Sequence, residues 1–394
     1  MNKKILFVCY GLGIGGIEKC LVNLLNAMPA NYDIDVLLMN PQYAFKNQIK
    51  RPIRFLNTFD YVMNIEDTVD EIRSKKRLVD KISMFLSYCL FRLRIKFRKE
   101  AWVGFKSLPD KYDVAIAYSH HDFSPYYVID KVDADKKVMW YHNGAYEHEG
   151  NRYERDKKYY LLFDRVVAVS TDCAKTLSEK FSFKEGQLTI LRNLCDADSI
   201  RSKATEYEPE SFSGKGIHIV TVARMTPEKG ADLAVEACRK LYQNGRNLYW
   251  HWVGDGNQAD GIRKKISEYG LEGRFILEGN QDNPYPFIRR GDIYVQPSYY
   301  EAYSTTITEA KVLCKPIVAT DVGGMRDQLK DGVNGLIVPV EASAIAKAVE
   351  TLYTDDLLRE SFKNALIGAD FSVDYTLKEY EKTIFSRWKH ESID

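Results

Sequence analysis

The chain has 394 residues, a formal net charge of +1, 45% hydrophobic and 28% charged residues. That near-neutral balance excludes a nucleic-acid binder that works by bulk electrostatics, and the length suggests two cores of about 150–200 residues each. Seven scattered cysteines with no C-x-x-C pair argue against a disulfide framework and suit reduced thiols in the cytoplasm.

The N-terminal run Met1-Asn-Lys-Lys-Ile-Leu-Phe-Val imitates a secretion signal, but the glycines and helical period behind it fit a first strand and a turn better. No uncharged apolar stretch approaches the roughly 18–20 residues of a membrane span, so a soluble or surface-attached protein is expected. Short β-branched runs alternate with helical patterns along the whole chain, the signature of parallel sheets wound with helices. Strands are expected at Ile5–Cys9, Asp35–Met39, Val114–Tyr118, Lys137–Trp140, Val166–Ser170 and Leu188–Arg192, then again at His218–Ala223, Tyr249–Gly254, Arg274–Glu278, Ile293–Gln296, Pro316–Ala319 and Gly335–Val338. The pattern therefore runs twice. The fold class read from it is α/β, with two doubly wound Rossmann-like domains facing a cleft. The boundaries are 1–205, a polar linker at 206–216, 217–375, and a C-terminal helix at 376–394 that crosses back to the first domain.

Gly11-Leu-Gly13-Ile-Gly-Gly16 follows the first strand and opens a helix with Ile17, Cys20, Leu21, Leu24, Leu25 and Met28 on its apolar face. A nicotinamide enzyme would need a carboxylate about 20 residues on, and the second strand ends Leu38-Met-Asn-Pro-Gln42 without one. What survives is a generic turn at which Gly15 and Gly16 let the backbone lie against an anion. Residues 75–99 carry nine cationic side chains against one carboxylate, Asp80. On a helix, Ile82, Leu86, Cys89, Leu93 and Phe97 form one stripe with Phe85 and Leu90 beside it. Such a helix suits an anionic membrane surface or, equally, a connecting helix packed on its own sheet.

His142 stands after the strand that ends at Trp140, and a lone histidine there is more often a packed residue than a functional one. A zinc site from His120, His121, His142 and His148 lacks cysteine or carboxylate partners at ligand spacing. Asp133-Ala-Asp135 and Asp196-Ala-Asp198 imitate a metal-binding Asp-x-Asp in unsuitable context, and no metal is expected. In the second half, Val222-Ala-Arg224-Met-Thr226-Pro227-Glu-Lys229-Gly230 leaves a strand and enters a helix, with Thr226 as N-cap and Pro227 at the first helical position. Arg224 and Lys229 would stabilise a leaving diphosphate, or else pair with Glu228 or Asp232 on the surface. Glu301 and Glu309 flank a polar turn where the strand Asp292–Pro297 ends and a helix begins. Such a turn presents free amides and a positive dipole end to a diphosphate, with carboxylates on either side for hydroxyl groups. The plainer reading makes Thr306-x-x-Glu309 a capping box.

The order Arg224, Lys229-Gly, Gly254-Asp-Gly256, Asp292-Ile-Tyr-Val-Gln-Pro-Ser298, Glu301, Glu309 and Val322-Gly-Gly324 resembles the family 4 retaining glycosyltransferases of the GT-B fold, of the kind that build bacterial cell-surface polysaccharide. The resemblance spans nearly the whole chain and is strongest over 217–340. It implies that Arg224 and Lys229 hold the donor diphosphate, Glu301 the donor sugar and Glu309 the ribose. It also implies that the backbone from Ser304 through Thr305 to Thr306 meets the phosphates, that the segment opening at Gly279-Asn280 binds the base, that His142 faces the transferred sugar, and that Gly15-Gly16 is the family's glycine turn. The implied reaction moves a hexose or N-acetylhexosamine from a nucleotide sugar, a UDP-sugar being expected, without metal or other cofactor. The acceptor is a saccharide or lipid-linked saccharide, received by the first domain while the second holds the donor. No nucleic-acid partner is expected, and the protein would work in the cytoplasm at the inner face of the membrane. Two departures bear on sugar identity: Ala302 and Tyr303 stand where the family usually has Gly then Phe, and Leu194 follows Asn193 where it often has Gly. A nucleotide-dependent oxidoreductase or epimerase, and a non-catalytic sugar-nucleotide-binding partner, are the alternatives.

Overall fold

The structure is a computed structural model that describes residues 3–13, 15–63, 68–97, 100–120, 122–369, 371 and 373–385. His121, Ile14 of the glycine turn, Arg98 and Lys99 of the basic segment, and 386–394 of the expected C-terminal helix lie outside the described residues. The chain divides into two compact units: Met1–Val169 with Cys173–Leu194 and Asp374–Asp394, and Ser170–Asp172 with Cys195–Val373.

The first unit holds β1 (Lys4–Cys9), β2 (Asp33–Leu38), β3 (Arg54–Phe55), β4 (Lys111–Ala117), β5 (Asp133–Tyr141), β6 (Arg165–Ala168) and β7 (Leu188–Ile190). They form one parallel sheet in the order β3-β2-β1-β4-β5-β6-β7. Five of the six residues of β1 are buried, as expected for a strand covered by helices on both faces. The two-residue β3 is too short to show a period in sequence. Its Arg54 guanidinium fixes it to the neighbouring strand through Asp35 at 2.8 Å, and reaches Asp110 at 2.6 Å. The glycine turn leads into the helix Gly16–Ala27, which buries Cys20, Leu21, Val22, Leu24 and Leu25. The helix Val373–Phe385 belongs mostly to this unit: Tyr380 donates to Arg192 O at 2.7 Å and stacks on Trp140, and Glu381 accepts from Tyr32 at 2.7 Å.

The second unit holds β8 (Ile217–Val222), β9 (Leu248–Val253), β10 (Phe275–Gly279), β11 (Ile293–Gln296), β12 (Ile317–Thr320) and β13 (Leu336–Val338), parallel in the order β10-β9-β8-β11-β12-β13. Every expected strand is present, with ends moved by a few residues. The segment 206–216, expected as a linker, puts Phe212 into this unit's core beside Ala197 and Ile200 of the helix Ala197–Lys203 and its C-cap Ala204, and the chain passes between units at Leu194–Cys195. Burial of that helix's apolar side outweighs the turn-rich composition behind it. Three of the four carboxylates of the Asp-x-Asp pairs have protein partners: Asp196 caps this helix by accepting from Ser199 N at 2.9 Å, Asp198 pairs with Arg201, and Asp135 pairs with Lys111 at 2.7 Å.

Candidate active site

In the second sheet the strand order reverses between β8 and β11, which pair in parallel through Tyr294 and Val220. The loops leaving their C-terminal ends diverge from a common point, the place where a doubly wound sheet opens a crevice for a ligand. Those loops carry Arg224 to Gly230 and Pro297 to Ser304. They are stitched together by backbone, since Tyr299 N and Tyr300 N both donate to Glu228 O, at 2.9 and 3.3 Å. Gly230 has a left-handed φ of +68°, and a Cβ there would overlap the Pro297 carbonyl. Only glycine lets the lysine loop lie this close to the acidic one.

The close approach brings Lys229 Nζ to 2.7 Å from Glu301 Oε1. The Glu301 side chain is 8% exposed and that of Lys229 20%, so the pair is largely dry on the acid's side. A buried carboxylate needs hydrogen bonds in addition to an opposite charge to offset its lost hydration. Ser298 Oγ at 2.9 Å and Gln296 Nε2 at 3.2 Å supply further donors to the same oxygen. Among the described residues, all of Glu301's side-chain hydrogen bonds converge on Oε1, leaving Oε2 as an acceptor. Gln296 also passes the order onward: its Oε1 accepts from Thr306 Oγ1 and from the Tyr294 hydroxyl, each at 3.0 Å. Thr320 Oγ1 on β12 donates to Ser298 O at 2.5 Å, fixing the start of the turn from the other neighbouring strand.

The turn then enters the helix Thr305–Val312. Its N-cap is Ser304, whose Oγ accepts from Ile307 N at 3.4 Å. The capping-box reading of Thr306 and Glu309 fails for that reason: Thr306 lies inside the first turn and Glu309 is buried, 3% exposed. Gln328 clamps the cap by accepting from Ser304 N at 2.8 Å and donating to Ser304 O at 2.6 Å. With Ser304 N taken by Gln328 and Ile307 N by the cap, the amides of Thr305 and Thr306 are left without a hydrogen bond among the described residues. Free amides at a helix N-terminus, an ammonium group nearby and a fixed carboxylate form a site for an anion attached to a polyol.

The remaining expectations fall in several places. The entry after Arg224 is a short 3-10 turn, Pro227–Lys229, and the long helix begins only at Ala231 beyond the left-handed Gly230. Thr226 does not cap it by its side chain, because its hydroxyl donates to Glu228 Oε1 at 2.7 Å. Lys229 pairs with Glu301 and not with Glu228 or Asp232, whereas Arg224 is exposed and sits 3.7 Å from Glu228. Asn280 accepts from Asp255 N at 3.0 Å, spending its carbonyl on holding the β9 and β10 loops together. A depression lined by Pro227, Glu228, Asp232, Gln258 and Tyr299 borders the lysine loop, but its two carboxylates disfavour a diphosphate there.

Gly15, Gly16 and His142 lie on the first unit. Gly15 precedes the helix Gly16–Ala27 in extended conformation, and a side chain on it would run into the Glu18 carboxylate. His142 follows β5, is buried, receives its ring contact from Tyr118 at 4.8 Å and donates its backbone N–H to His120 Nδ1 at 3.3 Å. Gln328 and Thr320 were not legible as site residues, since each arrives from a later element. Gln296 and Ser298 had a signal: two buried polar side chains closing an apolar strand.

Two doubly wound parallel sheets in one chain are the architecture of the GT-B class, and solved structures agree on it. The Anabaena Alr3699/HepE protein in complex with UDP matches with TM-score 0.72 and 17% identity over 96% of this chain and 99% of that one. The family described as "Glycosyltransferase Family 4" matches residues 14–199, and "Glycosyl transferases group 1" matches 202–367. The chain belongs to the family 4 glycosyltransferases. It is 32% identical to the alpha-D-kanosaminyltransferase of Streptomyces kanamyceticus, over 42% of this chain and 43% of that relative's length. It is 23% identical, over 92% of this chain and 93% of the relative, to the N-acetylgalactosamine-N,N'-diacetylbacillosaminyl-diphospho-undecaprenol 4-alpha-N-acetylgalactosaminyltransferase of Campylobacter jejuni.

Proposed function

We propose that this chain transfers a hexose or N-acetylhexosamine, with retention of anomeric configuration, from a nucleoside diphosphate sugar to a saccharide carried on a lipid, for a cell-surface glycan. The observation that carries the reading is the Lys229–Glu301 pair tied through Gln296 to Thr306, in the helical turn whose Thr305 and Thr306 amides are open among the described residues. The diphosphate would take those amides and share Lys229, with Arg224 swinging in from solvent as a second cation. Charge that accumulates on the departing diphosphate would then meet donors already in place, which is where fixed dipoles contribute most. Glu301 would accept from a sugar hydroxyl through Oε2, and Glu309 would serve the ribose. These groups suffice without a metal ion, and attack on the same face would be assisted by the leaving diphosphate.

Likeness to a UDP complex and to a relative, matched over 93% of its length, whose name places an undecaprenyl diphosphate saccharide as its substrate supports a UDP-sugar donor and a lipid-linked acceptor. The first glycine turn supports a nicotinamide cofactor less well, because Glu18 sets a carboxylate against it. His142 would face the transferred sugar.

The test is a thermal-shift screen against UDP, GDP, ADP and their sugars, followed by transfer assays with the best donor. A ligand at a hundred times its dissociation constant stabilises by about 2.7 kcal/mol, a clear shift. A donor that binds and yields an α-linked product supports the proposal. Binding of nicotinamide cofactors in place of sugar nucleotides would overturn it.

A further inference from the structure

Gln296 closes β11 between Val295 and Pro297 and is 1% exposed. An apolar side chain would fill that space without burying an amide, which is unfavourable unless the amide is hydrogen-bonded. Here the amide is used in full. Its Nε2 donates to Ser298 Oγ at 2.9 Å and to Glu301 Oε1 at 3.2 Å, while its Oε1 accepts from the Thr306 and Tyr294 hydroxyls, each at 3.0 Å. The orientation follows from charge, since the amide turned over would set its carbonyl oxygen against the Glu301 carboxylate. Burial holds the Tyr294 phenol well above its ordinary range, so it stays a neutral donor. Thr306 shares a further hydrogen bond with Ser304 Oγ of the helix cap at 3.0 Å, and Thr320 Oγ1 donates to Gln296 O at 3.3 Å. One side chain therefore bridges the acid that Lys229 grips and the first turn of the helix Thr305–Val312.

We propose that Gln296 is a positioning residue for sugar transfer, its amide holding the Glu301 carboxylate in register with the turn that takes the diphosphate. The inference rests on the transferase reading and adds to it the side chain that couples the sugar and diphosphate subsites. Gln296 acts through Glu301 and Thr306. A donor sugar and its leaving diphosphate react from one relative placement, and a carboxylate on a loop keeps that placement only when tied to the element that binds the phosphates. Lys229 and Ser298 fix Oε1 to the loops after β8 and β11. Among the described residues, Gln296 is the partner of Glu301 that also bonds the helix.

The experiment measures transfer kinetics of the full chain, wild type, Gln296→Leu and Gln296→Glu, at about pH 5.5 and about pH 8.5, with UDP titration and thermal melts alongside. Gln296→Leu removes the tie and should lower kcat on the order of a hundredfold with little change in KM or in UDP affinity, because Lys229 and the Thr305 and Thr306 amides remain. Gln296→Glu keeps the shape. Protonated, the introduced carboxyl group still donates to Glu301 and accepts from Thr306 and Tyr294; ionised, it repels Glu301 across the same gap. Lys229 bears on that pair through Glu301, and Glu309 through Tyr294. The kcat of Gln296→Glu should therefore lie near that of wild type at the lower pH and fall on the order of tenfold below it at the higher, a dependence that a merely structural role would not produce. Should Gln296→Leu fail to fold, this ratio within one folded variant decides alone. A Gln296→Leu kcat equal to wild type, or a Gln296→Glu profile parallel to it, would overturn the role. No transfer by wild type would overturn the transferase reading and this role with it, whereas active wild type beside unaffected variants overturns the role alone.

Discussion

The C-terminal edges of the two sheets are built from the same topology and finished differently. In the second unit, side chains from β11 and from the loops after β8, β11 and β12 converge on one carboxylate and one helix cap, and glycines press the loops against each other. In the first unit the corresponding turn is extended at Gly15, bordered by the Glu18 carboxylate, and followed by an exposed Gly16. The difference teaches where preorganisation is concentrated. A ligand whose charge and hydroxyls are fixed requires donors that do not move, and the second unit supplies them.

Substitutions at equivalent places should expose that asymmetry. The largest effect is expected from Glu301→Ala, which should lower turnover about 10²–10³-fold, the scale of losing one fixed transition-state partner, and also lower the melting temperature, because Lys229, Ser298 and Gln296 lose their shared acceptor. Steady-state transfer assays with circular dichroism melts check both halves. A smaller but structural loss follows Gly323→Ala. That residue sits at φ +45°, and a Cβ would overlap the Glu301 carbonyl, so urea denaturation should register at least about 2 kcal/mol of destabilisation together with weaker donor binding.

Lys315 sharpens the comparison through pH. Lys315 is half-buried, donating to Arg289 O and to Gly291 O at 2.8 Å, and its loss of hydration pushes its ammonium down to about 8 from the ordinary 10.5. Below about 8 both folded and unfolded states hold the proton and the full cost is present. Between about 8 and 10.5 the unfolded chain binds more protons, so stability should rise with pH, by up to about 3 kcal/mol. Denaturation curves at pH 7.5 and at pH 10 should show that rise in wild type relative to Lys315→Met; equal slopes would remove the assignment. The smallest effect is expected from Gly15→Ala, less than about 1 kcal/mol, because its backbone is extended and its neighbour is the end of a flexible side chain.

Much of this was legible in sequence. Buried β-branched runs fix the strands whatever surrounds them, and the polar residues that end β11 mark the site. Three things were not. The N-cap lies at Ser304 because Gln328, 24 residues further on, clamps it, and no local pattern foretells a partner at that distance. The 206–216 segment looks like a linker, yet Phe212 is buried by a core that forms only in three dimensions. The amphipathic period of Leu78–Lys96 gives the width of the apolar stripe but not which side meets the core, and two aromatic residues on the narrower side settled that orientation.

The central claim is that the donor diphosphate is held at the second unit's helix-opening turn. A crystal structure with UDP bound tests it most directly. The account predicts the diphosphate within hydrogen-bonding distance of the Thr305 and Thr306 amides and of Lys229, with Glu301 still anchored through Oε1. Nucleotide seated instead at Gly15–Gly16, with the Lys229–Glu301 pair untouched, would contradict it.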